Sequence, residues 1–427
     1  MNRISPLREI SLLLGLVSVS TSAIGQQVLI EAEPFTDSGG WDLDQQFMEQ
    51  IGSSYLLAHG LGVPVSDAVT AVKFDSPGKY HVWVRTRDWV APWKAPGAPG
   101  KFQLLVNDRP LTTTFGTEGA DWHWQDGGTA EVTADSKIAL HDLTGFEGRC
   151  DAVLFSKDAG FVAPNEPAAL AKFRATRLHL PEQPDDGGSF DLVVVGGGVA
   201  GTSAAVSAAR NGLTVALVQD RPVLGGNSSS EVRVWPEGHT LQKPFTHIGE
   251  IVEEICPPKD TKGVGNAGAA AIFQDERKMR VVRAEPRITL FLEHRVNAAD
   301  QKDLRVRSVT AQNTRTARRV RISGKLFADC TGDATVGFLV GADYQMSEEG
   351  NMGSSNLWNV LDVADRERVL KCECKDKDAL SLATAVGNVA APFPRVPWAI
   401  DLTNKPFPGR PASKGKAAGA PPKDLGG

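Results

Sequence analysis

The chain has 427 residues, with 46 Lys and Arg against 51 Asp and Glu for a formal net charge of −5. It is longer than one ordinary domain of about 150 residues, and its charge gives neither a basic footprint for nucleic acid nor an acidic tail. The five cysteines, Cys150, Cys256, Cys330, Cys372 and Cys374, include no CxxC pair, which argues against a zinc or redox-dithiol site.

At the start, Arg3 and Arg8 precede the short apolar run "ISLLLGLVSVS", and "TSAIGQQ" follows with small residues suited to cleavage after Ala23 or Gly25. Residues 1–25 therefore read as a signal peptide, placing the mature chain in the periplasm or outside the cell. The competing reading is a short buried helix. The run is shorter than the roughly 20 residues that span a bilayer, and no later segment reads as transmembrane.

Residues 26–160 read as β-structure. "KYHVWVRT" and "KFQLLVND" alternate with period 2, and "SPGK", "APGAPG" and "QDGG" separate the runs. Many short strands between turns predict a sandwich. Six of the nine tryptophans fall before Cys150: Trp41, Trp83, Trp89, Trp93, Trp122 and Trp124. Trp83, in mid-strand, reads as core. Trp89, Trp93, Trp122 and Trp124 lie in or beside loops and are expected either to offer indole faces for binding or to dock on the following domain. Residues 161–188, rich in Pro, Asp and Gly, read as a linker with one short helix at 167–175.

From residue 189 the pattern changes. "FDLVVV" is a continuous apolar run, as expected of a parallel strand buried on both faces. Gly196, Gly198 and Gly201 form G-x-G-x-x-G, "TSAAVSAARNG" reads as a helix, and "LTVALV" as a second strand. A glycine motif between strand and helix is a dinucleotide-binding fingerprint. Its first glycine makes the turn, the second admits a pyrophosphate to backbone N–H groups, and the third lets helix and strand pack closely. The acid that normally ends the second strand is replaced by Gln219, with Asp220 next to it, so either residue is a candidate for the ribose hydroxyls. "RPVLGGNSSSEVRVW" brings Gly225, Gly226, Asn227 and Ser228 after that strand, and "KLFADCTGDATVGFLVGADY" carries Thr331, Gly332 and Asp333. Arg233 and His239 are the candidate catalytic groups: either can stabilise an anionic reduced cofactor or take a substrate proton.

Two resemblances follow from these motifs. "VLIEAEPF", "SPGKYHVWVRTRDW", "FQLLVND" and "LHDLTGFEGRCDAVLFS" fall in the order used by carbohydrate-binding β-sandwiches of the sixth and thirty-fifth families. That resemblance implies a galactose-binding-like sandwich with a structural calcium on Glu31, Glu33 and Asp151, a donor set of the hard-oxygen kind calcium takes. Phe190 to about Tyr344 resembles the FAD-dependent oxidoreductases related to the A subunit of heterodisulfide reductase. The Gly-Gly pair is similar to that of glutathione-reductase and fumarate-reductase flavoproteins, and the Thr-Gly pair to the third motif of the same group. "ITLFLEHRVNAA" and "DLRVRSVTAQN" look like the extra strands this group inserts.

The resulting expectation is a multidomain α/β plus all-β chain: an N-terminal β-sandwich followed by a Rossmann-like FAD-binding domain over 189–408 that looks C-terminally incomplete, with a disordered tail at 409–427. The cofactor is FAD. No iron–sulfur cluster is expected, because no four-cysteine set is present. The expected function is an exported oxidoreductase that removes a hydride from a carbohydrate or related alcohol, without nucleic-acid partners. The competing functions are a non-catalytic carbohydrate-binding protein with a decayed flavin domain and a nicotinamide-dependent dehydrogenase. The Gly-Gly and Thr-Gly motifs argue against the latter.

Overall fold

The computed structural model describes residues 27–344 apart from 61, 94–96, 159, 237–242, 245 and 258–269. The expected leader, His239 and the tail lie outside the described residues.

The alternating runs of the N-terminal half form antiparallel sheets around one core. One sheet has the order Gln27–Glu31, Ala152–Ser156, Gly78–Thr86, His123–Val132. A second runs Ala68–Lys73, Asp135–Asp142, Phe102–Val106, Arg109–Pro110, and a third Phe146–Cys150, Tyr55–His59, Asp42–Asp44. In Gly78–Thr86 the inward set Tyr80, Val82 and Val84 is buried, while Lys79, His81 and Trp83 face outward. Phe102, Phe115, Ile138, Leu140 and Phe155 are fully enclosed between the sheets. Burying each such side chain contributes about 1.5–3 kcal/mol relative to leaving it exposed.

The segment that composition marks as a linker carries a packed helix, Pro167–Arg177. Glu166 caps it, accepting from the Ala168 and Ala169 N–H groups, and Pro167 opens it where a missing N–H costs nothing. Phe173 and Leu178 close over Trp83, Trp124, Leu29 and Leu154. Trp83 is therefore half-buried under this helix rather than in the central core.

The C-terminal sheet has six strands in the order Ile288–Phe291, Val215–Val218, Asp185–Val195, Arg319–Asp329, Arg305–Asn313, His294–Lys302. The first four are mutually parallel and the last two join antiparallel. "ITLF" is thus the third parallel strand beside Val215–Val218, not part of an inserted pair. Helix Val199–Arg210 connects strand Asp185–Val195 to its neighbour Val215–Val218 and buries Ala205, Val206 and Ala209 against Val194 and Leu217. This topology puts the glycine-rich turn at the carboxyl end of the sheet, where open α/β sheets bind ligands.

Candidate cofactor site

Gly196 leaves the central strand with φ +101°, and a Cβ there would meet the Cys330 carbonyl at 2.5 Å. A Cβ on Gly201 would lie 1.8 Å from the Gly196 carbonyl, so the helix can approach the strand only because this residue is glycine. Gly198 differs from both. Its φ of −63° suits any residue, and a Cβ there would meet nothing within 4 Å. It caps helix Val199–Arg210 at the mouth of a cavity of about 600 Å³.

The same cavity gathers the three motifs. It is lined by Gly196 and Gly198 from the first, Gly225, Gly226, Asn227 and Ser228 from the second, and Thr331, Gly332 and Asp333 from the third. The second motif is strapped to the first: Gly225 N–H donates to the Gly197 carbonyl at 2.8 Å, and Gly225 forms a parallel bridge with Gly198. Gly225 has φ +111°, and a Cβ there would strike Lys278 Cε at 2.5 Å. Lys278 is fully buried beneath this turn, donating to the Phe273 carbonyl at 2.6 Å, and its pKa is lowered by burial. The third motif is organised by Asp329. Its Oδ1 accepts from the Thr331 N–H and hydroxyl, and its Oδ2 accepts from the Val336 and Gly337 N–H groups.

At the end of strand Val215–Val218, the Gln219 side chain turns inward. Its Oε1 accepts from the Gly197 N–H at 2.7 Å and its Nε2 donates to the Val223 carbonyl at 3.1 Å. Both polar ends are thus used to hold the glycine turn to the following loop. Asp220 is the carboxylate at this strand end, lining the cavity with Arg295 3.5 Å away. His294 also lines it, with Nδ1 on the Leu292 carbonyl at 2.6 Å.

Of the two candidate catalytic groups, His239 lies outside the described residues. Arg233 directs Nε back to the Ser230 carbonyl at 2.9 Å, while its neighbours Val232, Val234 and Trp235 line the cavity. Asp329, Lys278 and Arg295 were missed by sequence reasoning. Asp329 alone had a visible signal, since it ends the strand that precedes Thr331 and Gly332.

The three carboxyls of the N-terminal half do come together, but they do not fit calcium. Arg174, from the helix Pro167–Arg177, donates to Glu31 Oε1 at 2.8 Å and Oε2 at 3.1 Å and to Asp151 Oδ2 at 2.7 Å. Arg85 reaches the same Asp151 oxygen at 2.5 Å. The two guanidiniums thus occupy Glu31 and Asp151, two of the three carboxyls that a cation would need. Among the described residues no group of His, Cys, Asp and Glu is placed to hold a metal ion. Three carboxyls against two guanidiniums leave one negative charge over, which burial makes costly. Burial pushes Glu31 up to about 7 against the opposing pull of Arg174, with Asp151 adding to the rise. Glu33 is raised as well, by burial and then by Glu31. The extra proton belongs on Glu33: both Glu31 oxygens accept from Arg174, whereas Glu33 Oε2 is buried without a hydrogen-bond partner.

Three of the four tryptophans beside loops have packing partners within the N-terminal half. Trp122 is buried against Tyr55 and Phe47, Trp89 donates to the Phe146 carbonyl under the Arg149 guanidinium, and Trp124 donates to the Pro164 carbonyl. The Trp93 side chain lies outside the described residues.

The chain belongs to the FAD-dependent oxidoreductase family, whose model, described as FAD dependent oxidoreductase, matches residues 191–415 of the 427. That membership makes the chain an FAD-dependent oxidoreductase by family, and FAD is the cofactor of that family. A fumarate reductase (cytochrome) of Shewanella frigidimarina is 47% identical over 62 residues, which is 14% of this chain and 10% of that protein. The chain thus matches a tenth of that relative's length. Among solved structures, L-proline dehydrogenase from P. horikoshii is similar over 36% of this chain and 24% of its own, at 21% identity and a TM-score of 0.22. A quinol fumarate reductase of E. coli covers 34% of this chain and 33% of its own, at 20% identity and a TM-score of 0.25. A geranylgeranyl bacteriochlorophyll reductase-like protein from Thermoplasma acidophilum covers 38% and 45%, at 16% identity and a TM-score of 0.27.

Proposed function

We propose that the cavity at the carboxyl end of the six-stranded sheet binds FAD, with the pyrophosphate over Gly198, and that the enzyme removes a hydride from a carbohydrate or related alcohol after export. The observation that carries the cofactor placement is the open backbone at Gly198. It sits at a helix N-terminus with unsatisfied N–H groups and a partial positive charge, where there is room for a Cβ yet none is present. Gly225 and Gly226 bring a second stretch of bare backbone to the same cavity. Thr331, Gly332 and Asp333 line its far wall, where Asp333 is suited to accept from a ribityl hydroxyl. Asp220 is the acceptor for the ribose, because Gln219 is committed to the turn.

FAD supplies the two-electron chemistry when bound. The chain's part is to hold the phosphates on backbone N–H groups, to wall the cavity with Val234 and the buried Trp235, and to exclude water from that side. Arg233 and His239 stay the proposed proton-handling groups on the segment that follows Gly226.

The substrate class rests on the N-terminal half, whose strand motifs resemble carbohydrate-binding sandwiches; that is an argument from association. Anaerobic mixing of the FAD-loaded enzyme with a panel of sugars and polyols tests it. Bleaching of the flavin absorbance by a sugar supports the reading. Bleaching by succinate or proline alone, with every sugar inert, contradicts it.

A further inference from the structure

The N-terminal half touches the end of the cavity where Asp220 sits. Gln45, 2% exposed, donates through Nε2 to the Asp220 carbonyl at 2.7 Å. Four residues on, Glu49 of the short helix Met48–Ile51 accepts from Arg295. Arg295 is shared, because its other terminal nitrogen lies 3.5 Å from Asp220 Oδ2. One guanidinium on the cavity wall is therefore held between two carboxylates, one from each half of the chain. The contact continues away from the cavity. Gln312 Nε2 donates to the Gly52 carbonyl at 2.8 Å and Arg315 reaches the Glu33 carbonyl at 3.4 Å.

We propose that the N-terminal module is a working part of the flavin site: Gln45 and Glu49 set the positions of Asp220 and Arg295 at the adenosine end, so FAD binding and docking of the module are coupled. This rests on the placement of FAD proposed above. Gln45 fixes the backbone of the residue whose carboxylate faces the cavity. Glu49 draws Arg295 away from Asp220, leaving the Asp220 oxygens free to accept from ribose hydroxyls. Without Glu49, Arg295 has Asp220 as its remaining carboxylate among the described residues and competes with the ligand for it. Coupling between two sites is reciprocal. Bound FAD must therefore tighten the contact around Met48–Ile51 by the same factor by which that contact tightens FAD.

The test is titration of the full-length apoprotein with FAD, followed by flavin fluorescence, for wild type, Gln45→Leu, Glu49→Gln and Glu49→Asp. Gln45→Leu is expected to weaken FAD binding about tenfold, as loss of one buried hydrogen bond does. Glu49→Gln is expected to weaken it about threefold, the scale of an exposed ion pair, and Glu49→Asp to recover part of that loss. Glu49 is 62% exposed, so its variants fold whatever happens at Gln45. Amide hydrogen exchange over 42–52 is the second readout, expected to slow on adding FAD. Wild-type affinity in both Gln45→Leu and Glu49→Gln, with exchange over 42–52 unmoved by FAD, overturns the proposal and leaves the flavin site standing. A wild-type protein that binds no FAD sinks both.

Discussion

Gln219 holds the N–H of Gly197 at 2.7 Å, so the residue at the position of a ribose-binding acid serves the glycine turn instead. The cause is local. The neutral amide both accepts from Gly197 and donates to Val223, whereas a carboxylate can do only the first. Gln219→Leu is expected to cost about 1–3 kcal/mol of stability, because it leaves the buried Gly197 N–H without an acceptor. Gln219→Glu keeps that acceptor and is expected to change FAD affinity by less than about threefold. Denaturant unfolding of the two variants checks the first statement and FAD titration the second. A Leu variant as stable as wild type would remove the structural role given to Gln219.

Arg174 takes the place of a cation between Glu31 and Asp151. The melting temperature of the full chain is expected to be unaffected by a calcium chelator or by added calcium. Arg174→Met is expected to destabilise by about 3–5 kcal/mol, because it strands buried carboxylates. Calorimetry with and without chelator decides this. A clear chelator-induced fall in wild type would restore the calcium reading.

The same cluster sets a pH dependence. Glu31 and Glu33 have folded pKa values raised above the ordinary 4.5, chiefly by burial, with Glu31 pushed up to about 7. A raised carboxyl binds its proton more tightly folded than unfolded, so its contribution is complete below 4.5 and is lost as pH rises through the folded value. Stability is therefore expected to fall as pH rises from about 4.5 through the raised folded values of this pair. Glu33→Gln, which carries no titrating proton, is expected to flatten the profile. Thermal unfolding across that range measures it, and a wild-type profile that rises with pH contradicts the assignment.

The parts legible in the sequence are those whose cause is local. The spacing of Gly196, Gly198 and Gly201 between an apolar strand and an alanine-rich helix needs no distant partner to be read, and neither does the alternation in Gly78–Thr86. The parts that were not legible depend on distant contacts. Arg174 meets Glu31 across 143 positions, Gln45 meets Asp220 across 175, and Glu49 meets Arg295 across 246. The helix Pro167–Arg177 was expected inside a linker because of the polar, Pro-rich composition around it. Its buried Arg174 and the cover that Phe173 gives to Trp83 and Trp124 become visible only once it is packed. That cover is also why Trp124, one of the tryptophans beside loops, serves as a packing residue.

The most direct test of the account is FAD binding by Gly198→Val. A Cβ at 198 meets nothing within 4 Å and the position needs no unusual backbone angle, so the variant is expected to fold with a melting temperature within a few degrees of the wild-type apoprotein. Its methyl groups would stand between a pyrophosphate and the N–H groups of helix Val199–Arg210. Equilibrium titration with FAD is expected to show tight, saturable binding by wild type and a loss of at least about a hundredfold in affinity in the variant, the scale of two charge-assisted hydrogen bonds. A folded Gly198→Val protein that takes up FAD at wild-type stoichiometry and affinity would contradict the placement of the cofactor on this turn.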